Sequence, residues 1–214
     1  MEGKKAVVFD MDGTMVDNMD FHIDAWLQFL EKKGKPMSKA AFVALLHGTM
    51  KEIIHHIFDE RFEDAEIDAM RREKEGLYRS LYKEHIRPIA GLQDFLEEQR
   101  ANGVLIGLAT AGDRDNINFT LDGLGMRHYF QALIGAEEVQ HGKPHPEAFL
   151  LAAETLGVDP AHCMAFEDSM SGIEAARNAG MEVIAVTTFH TPAEFHAVGV
   201  TRTIANYHEI LIKK

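Results

Sequence analysis

The chain has 214 residues, of which 46% are hydrophobic and 26% are charged, and its formal net charge is −12. This length suits one large domain, or one domain that carries a smaller insertion. An acidic surface repels nucleic acid and anionic membranes, so neither is an expected partner. The single cysteine, Cys163, excludes an intrachain disulfide.

The sequence starts with MEGKKAVVFD, which passes from charged residues directly into a strand-like run. It lacks the long apolar region and the small-residue cleavage site of a secretory signal. No apolar run approaches the ~18 residues that are needed to cross a bilayer. We therefore expect a cytoplasmic protein. Separately, we expect a monomer or weak dimer.

Six short runs have the near-continuous apolar character of strands that are covered on both faces. They are Lys5–Asp10, Val104–Thr110, Ala132–Gly135, Cys163–Asp168, Glu182–Thr188 and Thr201–Asn206. Helix-like segments separate the later runs, and several of them, such as HPEAFLLAAETLG, close on glycine as helices often do. Alternating strands and helices predict an α/β fold, with a parallel sheet and helices on both sides.

The segment from Asp20 to about Arg87 differs, because it is helix-like almost throughout. Its apolar residues recur at spacings of three and four, as in Ile23, Trp26 and Leu30. It would interrupt the α/β domain after the first strand. The predicted domains are therefore a core of residues 1–16 and 88–214, and an inserted α-helical cap of residues 17–87. Ligands bind beyond the carboxyl ends of parallel strands, so an insertion that leaves from that end is expected to act as a lid.

Polar residues end three of the apolar runs, and a lysine lies between two of them. They are Asp10 and Asp12, Thr110, Lys143, and the pair Glu167 and Asp168. All would gather at one edge of the predicted sheet, where clustered carboxylates repel each other unless a cation lies among them. Hard oxygen ligands suit Mg²⁺, with water and a phosphate completing its shell.

The same residues can perform phosphoryl chemistry. A carboxylate can act as a nucleophile toward phosphorus, and a second one two residues later can act as general acid and then base. Lys143 and Thr110 would supply a charge and a hydrogen-bond donor for the remaining phosphate oxygens.

Four motifs, DMDGT, LATAG, GKPHPE and FEDSMSGIEAARNAG, resemble the signature motifs of the haloacid dehalogenase (HAD) superfamily, in that family's order. The resemblance is strongest to the subgroup of β-phosphoglucomutase and small sugar-phosphate phosphatases. It implies a Rossmann-like HAD core and a requirement for Mg²⁺. It also implies that Asp10 is the nucleophile, which becomes an aspartyl-phosphate, and that Asp12 is the acid/base.

The resemblance assigns the remaining motif residues as well. Mg²⁺ would be bound by Asp10, by Asp168 and by the backbone carbonyl of Asp12, with Glu167 in or near the metal shell. Thr110 and Lys143 would hold the phosphate, helped by the backbone at Ala111. The acidic Asp12 argues against dehalogenation, because a dehalogenase need not protonate an alkoxide leaving group.

The substrate depends on the cap, where the resemblance suggests four residues: His22, His47, Lys51 and Lys74. In the mutase, basic residues here hold a second phosphate, but His47 stands where the mutase has a lysine, and Lys74 aligns in an uncertain register. The sequence ATAGD and Asn18 also depart from the mutase pattern. These departures favour a phosphatase for a small phosphorylated metabolite, such as a sugar phosphate.

Three alternatives stay open or can be weighed from the sequence. The first is β-phosphoglucomutase itself. The second is an inactive protein that binds a phosphorylated metabolite, which loss of Asp10, Asp12 or Lys143 would support, and all three are present. The third, a P-loop or dinucleotide-binding protein, would need a G-x-x-x-x-G-K-[ST] or G-x-G-x-x-G motif after the first strand, and neither occurs there.

Overall fold

The structure is a computed structural model that describes residues 3–45, 50–58 and 61–211. The chain divides into two compact units. One, the core unit, comprises Met1–Asp17 and Ile86–Lys214, and the other, the helical unit, comprises Asn18–His85. The bounds predicted for the cap were residues 17–87.

The core unit contains a six-stranded sheet in which each neighbouring pair of strands is parallel. The strands are β1 (Ala6–Phe9), β2 (Leu105–Ala109), β3 (Ala132–Ile134), β4 (Cys163–Glu167), β5 (Glu182–Val186) and β6 (Thr203–Ile204). Their spatial order is β3-β2-β1-β4-β5-β6, so the first strand of the chain lies in the middle of the sheet.

The helices lie between the strands in the sequence and in the insertion after β1. The helical unit holds α1 (Met19–Lys32), α2 (Lys39–Val43), α3 (Met50–Phe58) and α4 (Asp64–Tyr82). The core unit holds α5 (Leu92–Ala101), α6 (Arg114–Leu124), α7 (Glu147–Leu156), α8 (Met170–Asn178) and α9 (Pro192–Ala197). The predicted α/β architecture is confirmed.

The two faces of β1 are both buried, which explains its unbroken apolar sequence. Val7 and Phe9 point into a cluster that includes α5 and α6, where Phe9 stacks on Phe166 of β4 with ring centroids 4.9 Å apart. Truncating such a buried phenyl ring to alanine typically costs about 3–5 kcal/mol. Ala6 and Val8 point to the opposite face, which contacts α7 and α8.

That second face is lined by small residues. Alanines of the strands meet alanines of α7 and α8, which lets helix and sheet backbones approach closely. Ala165 of β4, with Ala152 of α7 and Ala176 of α8, is typical of this cluster. This packing fixes the position of α8 against β4. Glu167 and Asp168 lie where β4 ends and α8 is about to begin.

The helical unit has a core of its own. Ile23, Trp26 and Phe29 of α1 pack with Phe42 of α2 and Ile54 of α3. This cluster confirms that the three-and-four spacing of apolar residues in α1 marks a buried helix face. Among the described helices of the chain, none has an apolar stretch long enough to pass through a bilayer.

Candidate active site

The carboxyl ends of β1, β2 and β4 lie side by side because their registers match. Phe9 pairs with Leu108 of β2 and with Phe166 of β4, so the next residues along each strand also lie at one level. The Asp10 amide continues the ladder by donating to the Phe166 carbonyl at 2.9 Å. Asp10, Thr110 and Glu167 are therefore brought to the same edge of the sheet.

Lys143 is bound between two of the carboxylates. Its Nζ lies 2.6 Å from Asp10 Oδ1 and also donates to Glu167 Oε1. Only 8% of the lysine side chain is exposed. Burial lowers the pKa of this ammonium, but attraction to Asp10 and Glu167, with the hydrogen bonds to both, outweighs burial and raises the pKa above its ordinary value. Lys143 is therefore a permanent positive charge beside Asp10.

Glu167 is the most constrained of the carboxylates. Its Oε2 accepts three hydrogen bonds, each of 3.0 Å, from the Asp168 amide, the Ser169 amide and the Ser169 hydroxyl. A β-carbon at Gly172 would overlap this carboxylate, so the glycine provides its space. Ser169, which caps α8 by accepting from the Gly172 amide, therefore also orients Glu167.

Asp168 is held from the other side, by the turn after β1. Its Oδ1 accepts a hydrogen bond of 3.1 Å from the Thr14 hydroxyl, and a β-carbon at Gly13 would overlap its carboxylate. Gly13 also has a φ of +77°, which side chains disfavour. Burial, followed by repulsion from Glu167 and Asp10, raises the pKa of Asp168 well above its ordinary value.

Asp10, Glu167 and Asp168 form one buried acidic group. Each offers an oxygen, and these oxygens all lie within 4.8 Å of one another. Burial raises the pKa of Asp10 to about 7, although Lys143 lowers it. One ammonium cannot neutralise three buried carboxylates, so the donor set fits a divalent cation with oxygen ligands, such as Mg²⁺.

Asp12, Thr110 and Ala111 lie around this acidic group. The Asp12 side chain is half-buried and is not one of the group's members; the sequence had assigned only its backbone carbonyl to the metal. Thr110 is buried, and its hydroxyl oxygen accepts the Gly112 amide at 3.0 Å, which leaves the hydroxyl hydrogen available to donate. Ala111 is exposed, beside Thr110.

The sequence of this chain matches a known family and its named members. The sequence model described as "Haloacid dehalogenase-like hydrolase" matches residues 7–186. The chain belongs to that family. It is an enzyme, a phosphohydrolase. A relative named fructose-1-phosphate phosphatase YqaB, from Escherichia coli (strain K12), is 34% identical over 180 residues, which is 84% of this chain and 95% of the relative.

Solved structures are similar over nearly the whole length. A HAD hydrolase, family IA, variant 3, from Entamoeba histolytica HM-1:IMSS superposes with a TM-score of 0.91 at 29% identity, covering 97% of this chain and 96% of that one. A β-phosphoglucomutase from Clostridium difficile gives a TM-score of 0.82 at 26% identity, covering 98% and 94%. The HAD chain thus resembles both a phosphatase and a mutase.

Among the residues suggested for substrate contact in this HAD hydrolase, His22 and Lys74 lie together inside the helical unit. Lys74 Nζ lies 3.0 Å from His22 Nδ1 and 2.9 Å from Glu75 Oε1. The His22 ring stacks on Tyr78 with centroids 3.7 Å apart. Lys74 is 4% exposed, so the structure makes it part of the unit's interior and pairs it with a carboxylate.

Of the other two suggested residues, the structure describes Lys51 but not His47. Lys51 lies in α3, is half-exposed, and its Nζ forms an ion pair of 2.5 Å with Asp64 at the start of α4. His47 lies outside the described residues. Asp64 and Glu75 thus pair with the two described lysines of this HAD hydrolase, and neither spacing nor motif in the sequence signals these contacts.

Four further residues support the acidic group and were not predicted to do so from the sequence. Gly13 and Thr14 lie within the DMDGT motif, and Ser169 and Gly172 lie within FEDSMSG. Their place in these motifs was the sequence feature that could have identified them. Tyr207 had no such signal. It is buried, and its hydroxyl donates to the Thr14 carbonyl at 2.9 Å, which connects the end of the chain to the turn after β1.

Proposed function

We propose that this phosphohydrolase is a Mg²⁺-dependent phosphatase for a small phosphorylated metabolite, in the class of sugar phosphates, and that it acts through an aspartyl-phosphate on Asp10. The observation that supports it most is the contact of Lys143 with Asp10 and Glu167 within a buried acidic group. The name of the relative, fructose-1-phosphate phosphatase, supports the substrate class.

Asp10, Glu167 and Asp168 would hold the Mg²⁺. The bound ion would neutralise charge on the phosphoryl oxygens and lower the pKa of its carboxylate ligands. Glu167 already receives Lys143 on one oxygen and three donors on the other, so we assign it mainly to orienting Lys143. Asp168 then carries a larger share of metal binding than Glu167.

In the first half of the reaction, Asp10 attacks phosphorus with one carboxylate oxygen. A new bond forms between that oxygen and phosphorus as the bond from phosphorus to the sugar oxygen breaks. Lys143 favours the ionised form of Asp10 that attack requires, since its charge lowers the Asp10 pKa. Asp12 donates a proton to the departing alkoxide, which leaves as the sugar hydroxyl.

In the second half, Asp12 is ionised and accepts a proton from water. The water oxygen attacks phosphorus, the bond to Asp10 breaks, and inorganic phosphate leaves with the Asp10 carboxylate regenerated. The hydroxyl of Thr110 and the ammonium of Lys143 would donate to phosphoryl oxygens throughout, together with the backbone at Ala111.

A mutase is the second candidate, because a β-phosphoglucomutase structure is similar along nearly the entire chain. A mutase must hold a second phosphate, for which cations of the helical unit would be needed. Lys51 and Lys74 each already pair with a carboxylate of the same unit, Asp64 and Glu75. These pairs would have to open to bind a phosphate, which favours the phosphatase.

The test is one assay with two readouts. The enzyme receives Mg²⁺ and β-glucose 1-phosphate, with and without a sugar bisphosphate primer, and inorganic phosphate and glucose 6-phosphate are followed together. We expect phosphate as the main product in both conditions. Glucose 6-phosphate appearing much faster than phosphate would instead establish the mutase. A parallel series with fructose 1-phosphate and other sugar phosphates then ranks the substrates by kcat/KM.

A further inference from the structure

A second group of possible metal ligands lies on the surface of the core unit, apart from the acidic group. It consists of His141, His145 and Glu147, and each contributes one ligand atom, all within 4.8 Å of one another. It shares no residue with Asp10, Glu167 and Asp168. These two groups are the ones found among residues 3–45, 50–58 and 61–211.

A turn brings the two imidazoles together. The His145 amide donates to the Gly142 carbonyl at 3.0 Å, which closes a tight turn around Lys143 and Pro144. The two rings consequently lie with centroids 4.5 Å apart. His141 and His145 are therefore neighbours in space although four positions separate them outside any helix.

Glu147, the first residue of α7, is already oriented toward both rings. Its Oε1 accepts the Gln140 amide at 3.0 Å, and its Oε2 accepts the His141 amide at 2.9 Å. The same Oε2 lies 2.9 Å from His141 Nδ1 and 3.8 Å from His145 Nδ1. Backbone donors of this kind hold a ligating carboxylate in place, as outer-shell partners do in metal sites.

Two imidazole nitrogens and one carboxylate oxygen form a ligand set for a borderline divalent ion. Zn²⁺ takes such sets with a water in the fourth position, at about 2.0–2.2 Å from each ligand atom. Imidazole suits Zn²⁺, whereas Mg²⁺ prefers oxygen alone, so this group and the acidic group differ in the ion they favour. The histidine side chains are 60% and 50% exposed, which leaves room for the rotations that would draw the ligand atoms around an ion.

We propose that His141, His145 and Glu147 form a surface site for a transition-metal ion of the Zn²⁺ class, distinct from the Mg²⁺ site. The ion would be bound by the lone pair of one nitrogen on each neutral imidazole, with the proton of each ring on its other nitrogen, and by a carboxylate oxygen of Glu147. Because both histidines flank Lys143, the bound ion would join the two ends of the segment that carries this lysine.

The test is titration of the full chain with ZnCl₂ against a chromophoric zinc indicator, in excess Mg²⁺ so that the acidic group is occupied. We expect one Zn²⁺ per chain. His145→Ala and His141→Ala should each weaken Zn²⁺ binding by on the order of tenfold or more. The matched control is His196→Ala, which removes an exposed histidine of α9 that belongs to neither ligand group, and it should bind Zn²⁺ like the parent.

A second readout identifies the ligands directly. On addition of one equivalent of Zn²⁺, the ring NMR signals of His141 and His145 should shift while that of His196 does not. Unchanged Zn²⁺ affinity in both His141→Ala and His145→Ala would overturn the proposal, as would Zn²⁺ binding that excess Mg²⁺ abolishes. Thermal unfolding of each variant shows that a lost site is not a lost fold.

Discussion

The Asp168 carboxylate occupies the space that a β-carbon of residue 13 would need, so the turn after β1 and the start of α8 fit together only when that residue is glycine. The Gly13 backbone is also in the left-handed region, with a φ of +77°. Two separate physical demands thus meet at one residue, and they can be separated by experiment.

Gly13→Ala should lose most phosphatase activity and Mg²⁺ binding, because the new methyl group displaces Asp168. Gly103→Ala is a matched control: its φ is +73°, but no atom lies within 4 Å of the added carbon. Both variants should lose about 1–2 kcal/mol of folding free energy from the positive φ. Denaturant unfolding and kcat/KM are measured for both, and equal activity in the two would contradict the role given to Gly13.

Asp10→Asn should abolish turnover and leave the fold intact, because an amide of the same size does not attack phosphorus. Hydrolysis of an aryl phosphate is measured together with thermal unfolding. Asp122→Asn serves as a control, since Asp122 is an exposed carboxylate paired with Arg127. Activity of Asp10→Asn within tenfold of the parent would rule out Asp10 as the nucleophile.

Asp12→Asn should slow hydrolysis of a sugar phosphate by ~10²–10⁴-fold, the usual contribution of general acid–base catalysis. The loss should be smaller for an aryl phosphate, whose leaving group needs less protonation than a sugar alkoxide. Comparing kcat on the two esters provides the measurement. If kcat falls by the same factor for the two esters, Asp12 does not act as the proton donor to the leaving group.

Mg²⁺ should raise the unfolding temperature more at about pH 8 than at about pH 5.5. The folded pKa of Asp10 is raised from 3.8 to about 7, and that of Asp168 is raised in the same direction. Protonation therefore stabilises the ion-free fold, and this stability is lost as the pH rises from about 4 through about 7. Mg²⁺ binds the ionised carboxylates and offsets the loss.

The measurement for this prediction is thermal unfolding with Mg²⁺ and with a chelator at both pH values. Asp168→Asn should remove most of the Mg²⁺ effect, whereas Asp122→Asn should keep it. A Mg²⁺ effect that is equal at both pH values would mean that the carboxylates do not titrate with metal binding.

The strands of the sheet could be located from the sequence, whereas helices with polar residues on their buried faces were harder to locate. All six strand-like runs contain strands, because unbroken apolar character is a strong signal. Helices were expected between the strands, but no individual segment was identified for α6: Asn116 and Thr120 are buried beside Ile117 and Leu121, so its buried face is not uniformly apolar in sequence. No segment was identified for helix α9, Pro192–Ala197, either; it is short and buries only Phe195.

The motifs indicated which residues to bring together at the strand ends, and the structure places Asp10, Lys143, Glu167 and Asp168 in contact or close to it. Side-chain pairing was beyond the sequence. Lys143 bridges two carboxylates, and Lys74 is buried beside Glu75. Both contacts depend on side-chain rotamers, which are set by residues that are brought together only in the folded protein. Their roles in binding and catalysis stay predictions.

The central position of β1 has a consequence for how the protein forms during synthesis. Ala6 emerges from the ribosome before its partners in the sheet, Leu105 and Cys163, which follow only after the entire helical unit has been made. An apolar strand must therefore stay unpaired while the helical unit, with its own core, can already fold. Such long-range pairing slows folding and exposes the strand to aggregation, so a chaperone that shields β1 in the nascent chain should raise the yield of native enzyme.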